Sequence, residues 1–152
     1  MQQENDAIRV WFRLLRLNTR IRLAMASRLK KLKLSTAQCD VLTTLTEAEG
    51  ISQQELAQRL YVTKGNISGL IDRLAEAGLV QRRSLNGDRR SHSIFLTETG
   101  RQLALDGIAA QQDFVATSLG RMDADRLNAF EGLLISARTL VREAETPGAT
   151  ES

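Results

Sequence analysis

The sequence has few of the side chains on which most enzyme and metal sites depend. Of its 152 residues, one is a cysteine, Cys39, and one is a histidine, His92. One cysteine excludes an intramolecular disulfide and a multi-cysteine zinc site, and one histidine leaves too few groups for a zinc centre or a histidine-dependent triad. Because the sequence also carries no phosphate-binding loop and no nucleophile paired with a base, we expect no catalytic activity, no metal and no cofactor.

Long apolar runs are missing as well. No stretch approaches the 18 residues of a membrane-spanning helix, and residues 2–6 are polar, unlike a signal peptide. We therefore expect a cytoplasmic protein without a membrane partner. A chain of this length buries roughly 68–70% of its unfolded surface, which is enough for a single core without cross-links.

Basic residues are concentrated in the first two-thirds of the chain, although the net charge is only +3. Residues 1–35 hold nine Lys or Arg against Glu4 and Asp6, a net of +7. Residues 50–102 carry a net of +3 and residues 103–152 a net of −4. This asymmetry fits a chain whose first two-thirds face a polyanion, but solvated helix faces explain the charge alone equally well.

Apolar residues recur at steps of three and four along most of the chain, which predicts a mainly α-helical fold. Ser35, Ser52 and Thr63 are expected N-caps, with Glu55 at capping-box spacing from Ser52. Gly78 stands where a glycine in the left-handed conformation would end a helix. The predicted helices run from Asp6 to about Lys31, Thr36 to about Glu47, Ser52 to Leu60, Lys64 to about Glu76, Thr97 to about Leu119, and Asp123 to about Glu145.

A small β-hairpin is predicted between the fourth and fifth helices. The segments Val80–Ser84 and Ser91–Leu96 flank Asn86-Gly87, the strongest short-range hairpin signal. A helix-turn-helix followed by a basic hairpin, or wing, is a shape that grips duplex DNA. The alternative for the wing is a solvated, salt-bridged turn.

The helix that begins at Lys64 is the expected recognition helix. Its outward residues near the N-terminus are small or polar, so it can approach base edges, although an ordinary surface helix has the same composition. We expect Lys64, Asn66 and Ser68 to contact bases. The residues expected to contact or position phosphates are Ser52, Thr63, Arg73, Arg82 and Arg83.

The wing tip adds Arg89 and Arg90 to the basic residues of the hairpin. An arginine on a narrow hairpin suits the minor groove, where the negative potential attracts a guanidinium group. Asp88 repels phosphate, so its expected role is to hold an arginine side chain in one rotamer through a charge-assisted bond.

Four segments of the chain resemble the MarR family of bacterial transcription regulators. Each fragment is weak alone, but their order and spacing are specific, and the similarity covers essentially residues 6–145. The segments are Leu34-Ser35-Thr36-Ala37-Gln38, Gly78-Leu79-Val80, Asp88-Arg89-Arg90-Ser91 and Leu96-Thr97-Glu98-Thr99-Gly100.

The resemblance implies a homodimer whose two recognition helices enter successive major grooves of a pseudo-palindromic operator. It places Asp88 and Arg90 on the family's Asp-x-Arg wing motif, where the Arg enters the minor groove and the Asp orients it. It also implies repression that is relieved by a small phenolic or aromatic effector or by thiol oxidation.

The long terminal helices favour a dimer independently, because they carry more apolar surface than one winged helix can cover. We expect an N-terminal dimerisation helix at 1–34, a winged helix-turn-helix at 35–100, C-terminal dimerisation helices at 101–145 and a disordered tail at 146–152. Trp11 and Arg16 are candidates for the effector pocket, and the alternative for Trp11 is the dimer core.

Two alternatives stay open at this stage. Cys39 suggests a redox-sensing regulator, but it lies in an apolar segment with no Lys, Arg or His within five residues, which favours a buried and inert thiol. The second alternative is a winged-helix module that binds proteins, which the basic wing tip disfavours.

Overall fold

The computed structural model describes residues 1–84 and 92–145. Within them the chain is mainly helical with a two-stranded antiparallel hairpin, which confirms the predicted fold class. The predicted hairpin tip at Asn86-Gly87 and the predicted tail at 146–152 lie outside the described residues. The elements are α1 (Gln2–Lys30), α2 (Thr36–Glu47), α3 (Gln53–Leu60), α4 (Lys64–Glu76), β1 (Val80–Ser84), β2 (His92–Leu96), α5 (Glu98–Thr117) and α6 (Ala124–Glu145).

The predicted bounds of the helices hold except at the ends of the long ones. α1 begins at Gln2 rather than Asp6, because the intervening Gln and Glu residues are good helix formers. α5 ends at Thr117 rather than Leu119. There the hydroxyls of Thr117 and Ser118 donate to carbonyls of the preceding turn, and a short 3₁₀ helix, Leu119–Arg121, follows.

Three successive helices begin with a side-chain cap. The hydroxyl oxygens of Ser35, Ser52 and Thr63 accept the N–H of the third residue on, at 3.1, 3.1 and 3.3 Å. At Ser35 the cap is reciprocal, because Gln38 accepts the Ser35 N–H. The Glu55 carboxylate accepts instead from Arg59, so the capping box predicted at Ser52 is only half formed.

The chain divides into two compact units, Met1–Gln112 and Asp113–Ser152. The first unit holds a core to which α1 contributes only its C-terminal end, and α2, α3 and α4 contribute the inward positions predicted from their periodicity. The largest fully buried side chains of this core are Leu29, Val41, Leu42, Leu45, Leu56, Ile67, Ile71, Leu74 and Ile94. In the second unit α6, all of which is described, buries none of its residues.

The hairpin is fastened to both ends of the helix-turn-helix. α4 ends at Glu76 with Ala77 as its C-cap, and Gly78 follows with a φ of +72°, as predicted for a C′ glycine. The strands pair in the register from Val80 opposite Leu96 to Ser84 opposite His92. On its other edge β2 bridges to the start of α3, where the Ile94 N–H donates to the Ile51 carbonyl at 2.9 Å. Backbone hydrogen bonding therefore holds the wing against the N-terminus of α3.

Candidate nucleic-acid interface and effector cavity

The outer face of α4 is the part of the helix-turn-helix that remains open to a partner. Ile67, Leu70, Ile71 and Leu74 are buried, as the sequence predicted. Thr63, Lys64, Gly65 and Asn66 are exposed, and Ser68 is half-buried. The residues predicted to contact bases thus share the first two turns of one helix. Because several side chains on this surface are small, a partner can approach the helix backbone closely.

Lys64 and Arg73 carry the positive charge of this face. Within the described residues, no ion pair holds either side chain. The Arg73 guanidinium lies along α4, where its Nη1 would be 3.7 Å from a Cβ added to Gly69. Both side chains are therefore available to form an ion pair with an anionic group of a partner molecule.

Arg82, predicted to position phosphate, is occupied by contacts within the chain. Its guanidinium lies 2.6 Å from the Asp72 carboxylate on α4 and donates to the Gln53 side chain on α3 at 3.3 Å. The Arg82 side chain is 27% exposed. This network joins α3, α4 and β1, and it fixes the direction of the wing relative to the recognition helix. Neither Gln53 nor Asp72 is among the site residues predicted from the sequence.

Arg83 lies on the exposed side of β1 and is preorganised. Its guanidinium carbon is 4.3 Å from the centroid of the Phe95 ring, a cation–π contact across the hairpin. It also donates to Gln81 at 3.2 Å. An arginine held in this way loses less conformational freedom when it meets a phosphate. Asp88, Arg89 and Arg90, the predicted wing-tip residues, lie outside the described residues.

Glu49 connects the end of α2 to β2 and α5. Its carboxylate accepts the Leu96 N–H at 3.0 Å and pairs with the Arg101 guanidinium. The Arg101 contact is the largest of the causes that hold the pKa of Glu49 below its ordinary value. The base of the wing is therefore fixed by a charged contact as well as by backbone pairing.

The first unit contains a cavity of about 140 Å³ between α1, α2 and α5. Apolar walls and several polar groups meet there. Burial raises the pKa of Asp40, and the nearby Arg22 cation opposes the rise. The lining residues are Ile21, Arg22, Met25, Leu29, Thr36, Cys39, Asp40, Thr43, Gly107 and Gln111.

The residues proposed from sequence for an effector do not line this cavity. Trp11 and Arg16 lie further toward the N-terminus of α1, where both are exposed in the single chain. The lining residues are contributed by three helices that are distant in sequence. Periodicity alone does not show which of their faces enclose a space.

Cys39 is buried in the cavity wall, as the sequence predicted. A Cβ added to Gly107 would come within 2.7 Å of its Sγ, so α5 passes directly over the thiol. Burial, and then the Asp40 carboxylate, raise the pKa of the Cys39 thiol. Since the thiolate is the reactive form, this environment opposes oxidation and alkylation.

Comparisons with known proteins agree with this geometry. The MarR family model matches residues 34–92. An uncharacterised HTH-type transcriptional regulator of Bacillus cereus is 34% identical over 103 residues, which are 68% of this chain and 67% of the relative. The HTH-type transcriptional regulator TtmR of Methylorubrum extorquens is 33% identical over 120 residues, 78% of this chain and 59% of TtmR. A mutant MarR from E. coli, crystallised in complex with operator DNA, has a TM-score of 0.78 at 25% identity and covers 88% of this chain and 96% of that one.

The fold, with an open recognition helix beside a braced hairpin, is that of a winged helix-turn-helix DNA-binding regulator. The chain belongs to the MarR family of transcription regulators. Members of this family are DNA-binding regulators and not enzymes, in agreement with the function expected from sequence. Within the described residues, no helix is long and apolar enough to cross a membrane.

Proposed function

We propose that this chain is a homodimeric, sequence-specific repressor that binds a pseudo-palindromic operator in the bacterial cytoplasm. The observation that carries the proposal is the outer face of the N-terminal half of α4, which is open to solvent, carries polar side chains or none, and has no acidic residue. The E. coli MarR protein, similar in fold, was crystallised with operator DNA. Electrostatics and shape both favour the same partner, a DNA duplex.

The residues of this surface divide into two roles. Lys64, Asn66 and Ser68 read base edges from the first two turns of α4. Arg73, Arg83 and the helix N-termini capped by Ser52 and Thr63 contact phosphates. In the proposed complex Arg90 enters the minor groove and Asp88 orients it, with Arg89 beside them. Because Arg82 is paired with Asp72, we assign to it the positioning of the wing rather than a phosphate contact.

Exposed apolar residues on the terminal helices support the homodimer. α1 and α6 expose large side chains that a single chain leaves in water, and burying them is the main source of stability in obligate dimers. We propose that 1–34 and 101–145 pair between two copies and set the recognition helices one DNA turn apart, roughly 34–36 Å. The exposed apolar residues include Ile8, Trp11, Phe12 and Leu15 on α1, and Leu127, Leu133, Leu134, Ile135 and Leu140 on α6.

Selection of bound fragments from genomic DNA, followed by fluorescence anisotropy on the recovered sites, tests the proposal. We expect the recovered sites to contain an inverted repeat and to bind at least about a thousandfold more tightly than random duplexes. Asn66→Ala should lose preference at one base position of each half-site, at a cost of about 1–3 kcal/mol. Equal loss on operator and random duplexes would remove Asn66 from base recognition, and no attraction to duplexes at low salt would contradict DNA binding itself.

We further propose that the cavity beside Cys39 binds a small aromatic effector that carries an anionic or phenolic oxygen. Its volume of about 140 Å³ is close to that of an engineered cavity of about 150 Å³ that takes up benzene. Arg22 supplies a cation for the oxygen, and Thr36, Thr43 and Gln111 supply hydrogen-bonding groups. α1 and α5 form two of its walls, so an occupant can alter the spacing of the proposed dimer helices.

Calorimetry with benzoate and phenol as probes tests the effector site. We expect the better of the two probes to bind the dimer and to weaken operator affinity by the same factor by which operator weakens probe binding. Arg22→Ala should abolish the benzoate response and leave operator affinity intact. Retention of the full response by this variant would place the effector elsewhere.

A further inference from the structure

Tyr61 ends α3 in a backbone conformation that glycine usually occupies. Its φ is +54°, its N–H donates to the Gln58 carbonyl at 3.3 Å, and the Val62 N–H donates to the Ala57 carbonyl at 3.0 Å. These are the two bonds of a Schellman ending, whose left-handed residue is most often Gly because a Cβ is strained there. Tyr61 as a whole residue is 97% exposed. Packing within the described chain therefore does not explain a tyrosine at this position.

Gly65, in the first turn of α4, is a glycine at a position where the backbone favours a residue with a side chain. A glycine inside a helix is less favourable than an alanine, because it loses more backbone freedom on folding. A Cβ built on Gly65 would meet no atom within 4 Å. Neither the backbone of α4 nor the packing around it requires a glycine there.

Residues that contradict their local structure without a compensating contact are expected at functional sites. Tyr61 and Gly65 stand on either side of Thr63, the N-cap of the recognition helix. Residues 61–69 include Lys64 and no acidic residue, so this end of the helix-turn-helix suits a polyanion. An exposed aromatic ring close to a helix position that lacks a side chain suits a partner with a groove and a raised edge.

We propose that Tyr61 and Gly65 shape the end of α4 for duplex DNA, an inference that rests on the proposed function. Gly65 places no side chain between Lys64 and Asn66, so that the helix backbone approaches the base edges in the major groove at that position. Tyr61 lies against the sugar-phosphate backbone at the edge of the groove, and its hydroxyl donates to a phosphate oxygen. The left-handed turn directs the tyrosine away from the core and toward this strand.

Tyr61→Gly and Gly65→Ala test this arrangement because they should move stability and affinity in opposite directions. Each variant suits its backbone better than the native residue does, so we expect Tm to rise by about 2–4 °C. Each should weaken operator binding at least about fivefold in fluorescence anisotropy. Tyr61→Phe, which keeps the ring and loses the hydroxyl, should fall between the native protein and Tyr61→Gly.

Two matched controls accompany these variants. Lys33 is the other described non-glycine residue with a left-handed φ, at +57°. Gly132 is a helical glycine on the same polar face of α6 as Ser136, and a Cβ added to it would meet no atom within 4 Å. Lys33→Gly and Gly132→Ala should raise Tm similarly and change operator affinity less than about twofold.

Native-like affinity in both Tyr61→Gly and Gly65→Ala, on an operator that the native protein binds, would overturn the inference and leave the proposed function intact. A parallel fall in Tm and affinity would also overturn it, since both residues would then serve the fold. If the native protein binds no duplex, the proposed function fails, and this inference fails with it.

Discussion

Two neighbouring arginines on β1 illustrate how contacts within the chain divide similar residues between different roles. Arg83 is exposed and stacked on Phe95, whereas Arg82 is neutralised by Asp72. Each phosphate contact by a cation contributes about 0.9 to the slope of log affinity against log salt concentration. Each subunit of the proposed dimer contributes one such contact, so we expect Arg83→Ala to reduce that slope by about 1.8, measured by anisotropy at several salt concentrations.

Arg82→Ala should behave differently in the same titration. The slope should stay at the native value, while affinity falls at every salt concentration because the wing is no longer tied to α4. Equal reductions of the slope in both variants would show that Arg82 leaves Asp72 and contacts phosphate in the complex. The sequence predicted both arginines correctly as wing residues but could not separate them, because Asp72 lies on another element.

The environment of Cys39 predicts an unreactive thiol. Its pKa is raised, and α5 passes over its Sγ at Gly107. We expect iodoacetamide at neutral pH to modify the native protein more than about tenfold more slowly than the protein unfolded in guanidinium chloride. Mass spectrometry of quenched samples measures both rates. Rapid modification of the native protein would favour the redox-sensor alternative.

At the scale of elements, the start of α5 depends on a close approach at Gly100. A Cβ on Gly100 would lie 1.8 Å from the Leu79 carbonyl oxygen, which is shorter than any real contact. Gly100→Ala should therefore lower the free energy of unfolding by at least about 2 kcal/mol, measured by urea denaturation. Gly132→Ala, the matched control in open space, should instead leave it unchanged or raise it by up to about 1 kcal/mol.

The contact of Glu49 with Arg101 predicts an acid-dependent part of the stability. Because the pKa of Glu49 is lowered in the folded state, the ionised carboxylate stabilises the fold above about pH 4.3, the ordinary pKa of a glutamate. This contribution is lost as the pH falls through the lowered pKa. Glu49→Gln should be less stable than the native protein at pH 7, and the difference should shrink toward zero as the pH falls below about 4.3 and through the lowered pKa of Glu49. A difference that is constant with pH would contradict this assignment.

The sequence predicted an element correctly where the residues that set its bounds lie within or next to that element. The bounds of α2, α4 and β1 followed from caps, periodicity and Gly78, all of which act within a few residues. The cavity could not be predicted, because α1, α2 and α5 each contribute one side of it. Tyr61 could not be assigned for a similar reason, since its left-handed φ and full exposure are visible only in the structure.

At the scale of the whole molecule, the proposed dimer makes a prediction about α6. Leu134 is exposed in the single chain, so Leu134→Glu should leave the helix content measured by circular dichroism unchanged. In the dimer the new carboxylate would be buried, and sedimentation velocity should show a shift toward monomer with loss of operator binding. Ser136→Glu places the same charge on the polar face of α6 and should remain dimeric. Dimerisation of both variants would exclude the Leu134 face from the interface.

The chain also contains its own optical reporter of assembly. Trp11 is the only tryptophan in the sequence, and on α1 this residue is 52% exposed in the single chain. Indole emission moves to shorter wavelength when water leaves the ring, and subunit association depends on protein concentration. If a second copy covers α1, the emission maximum of the unlabelled native protein will shift to longer wavelength on serial dilution, and the midpoint of that shift gives the dissociation constant.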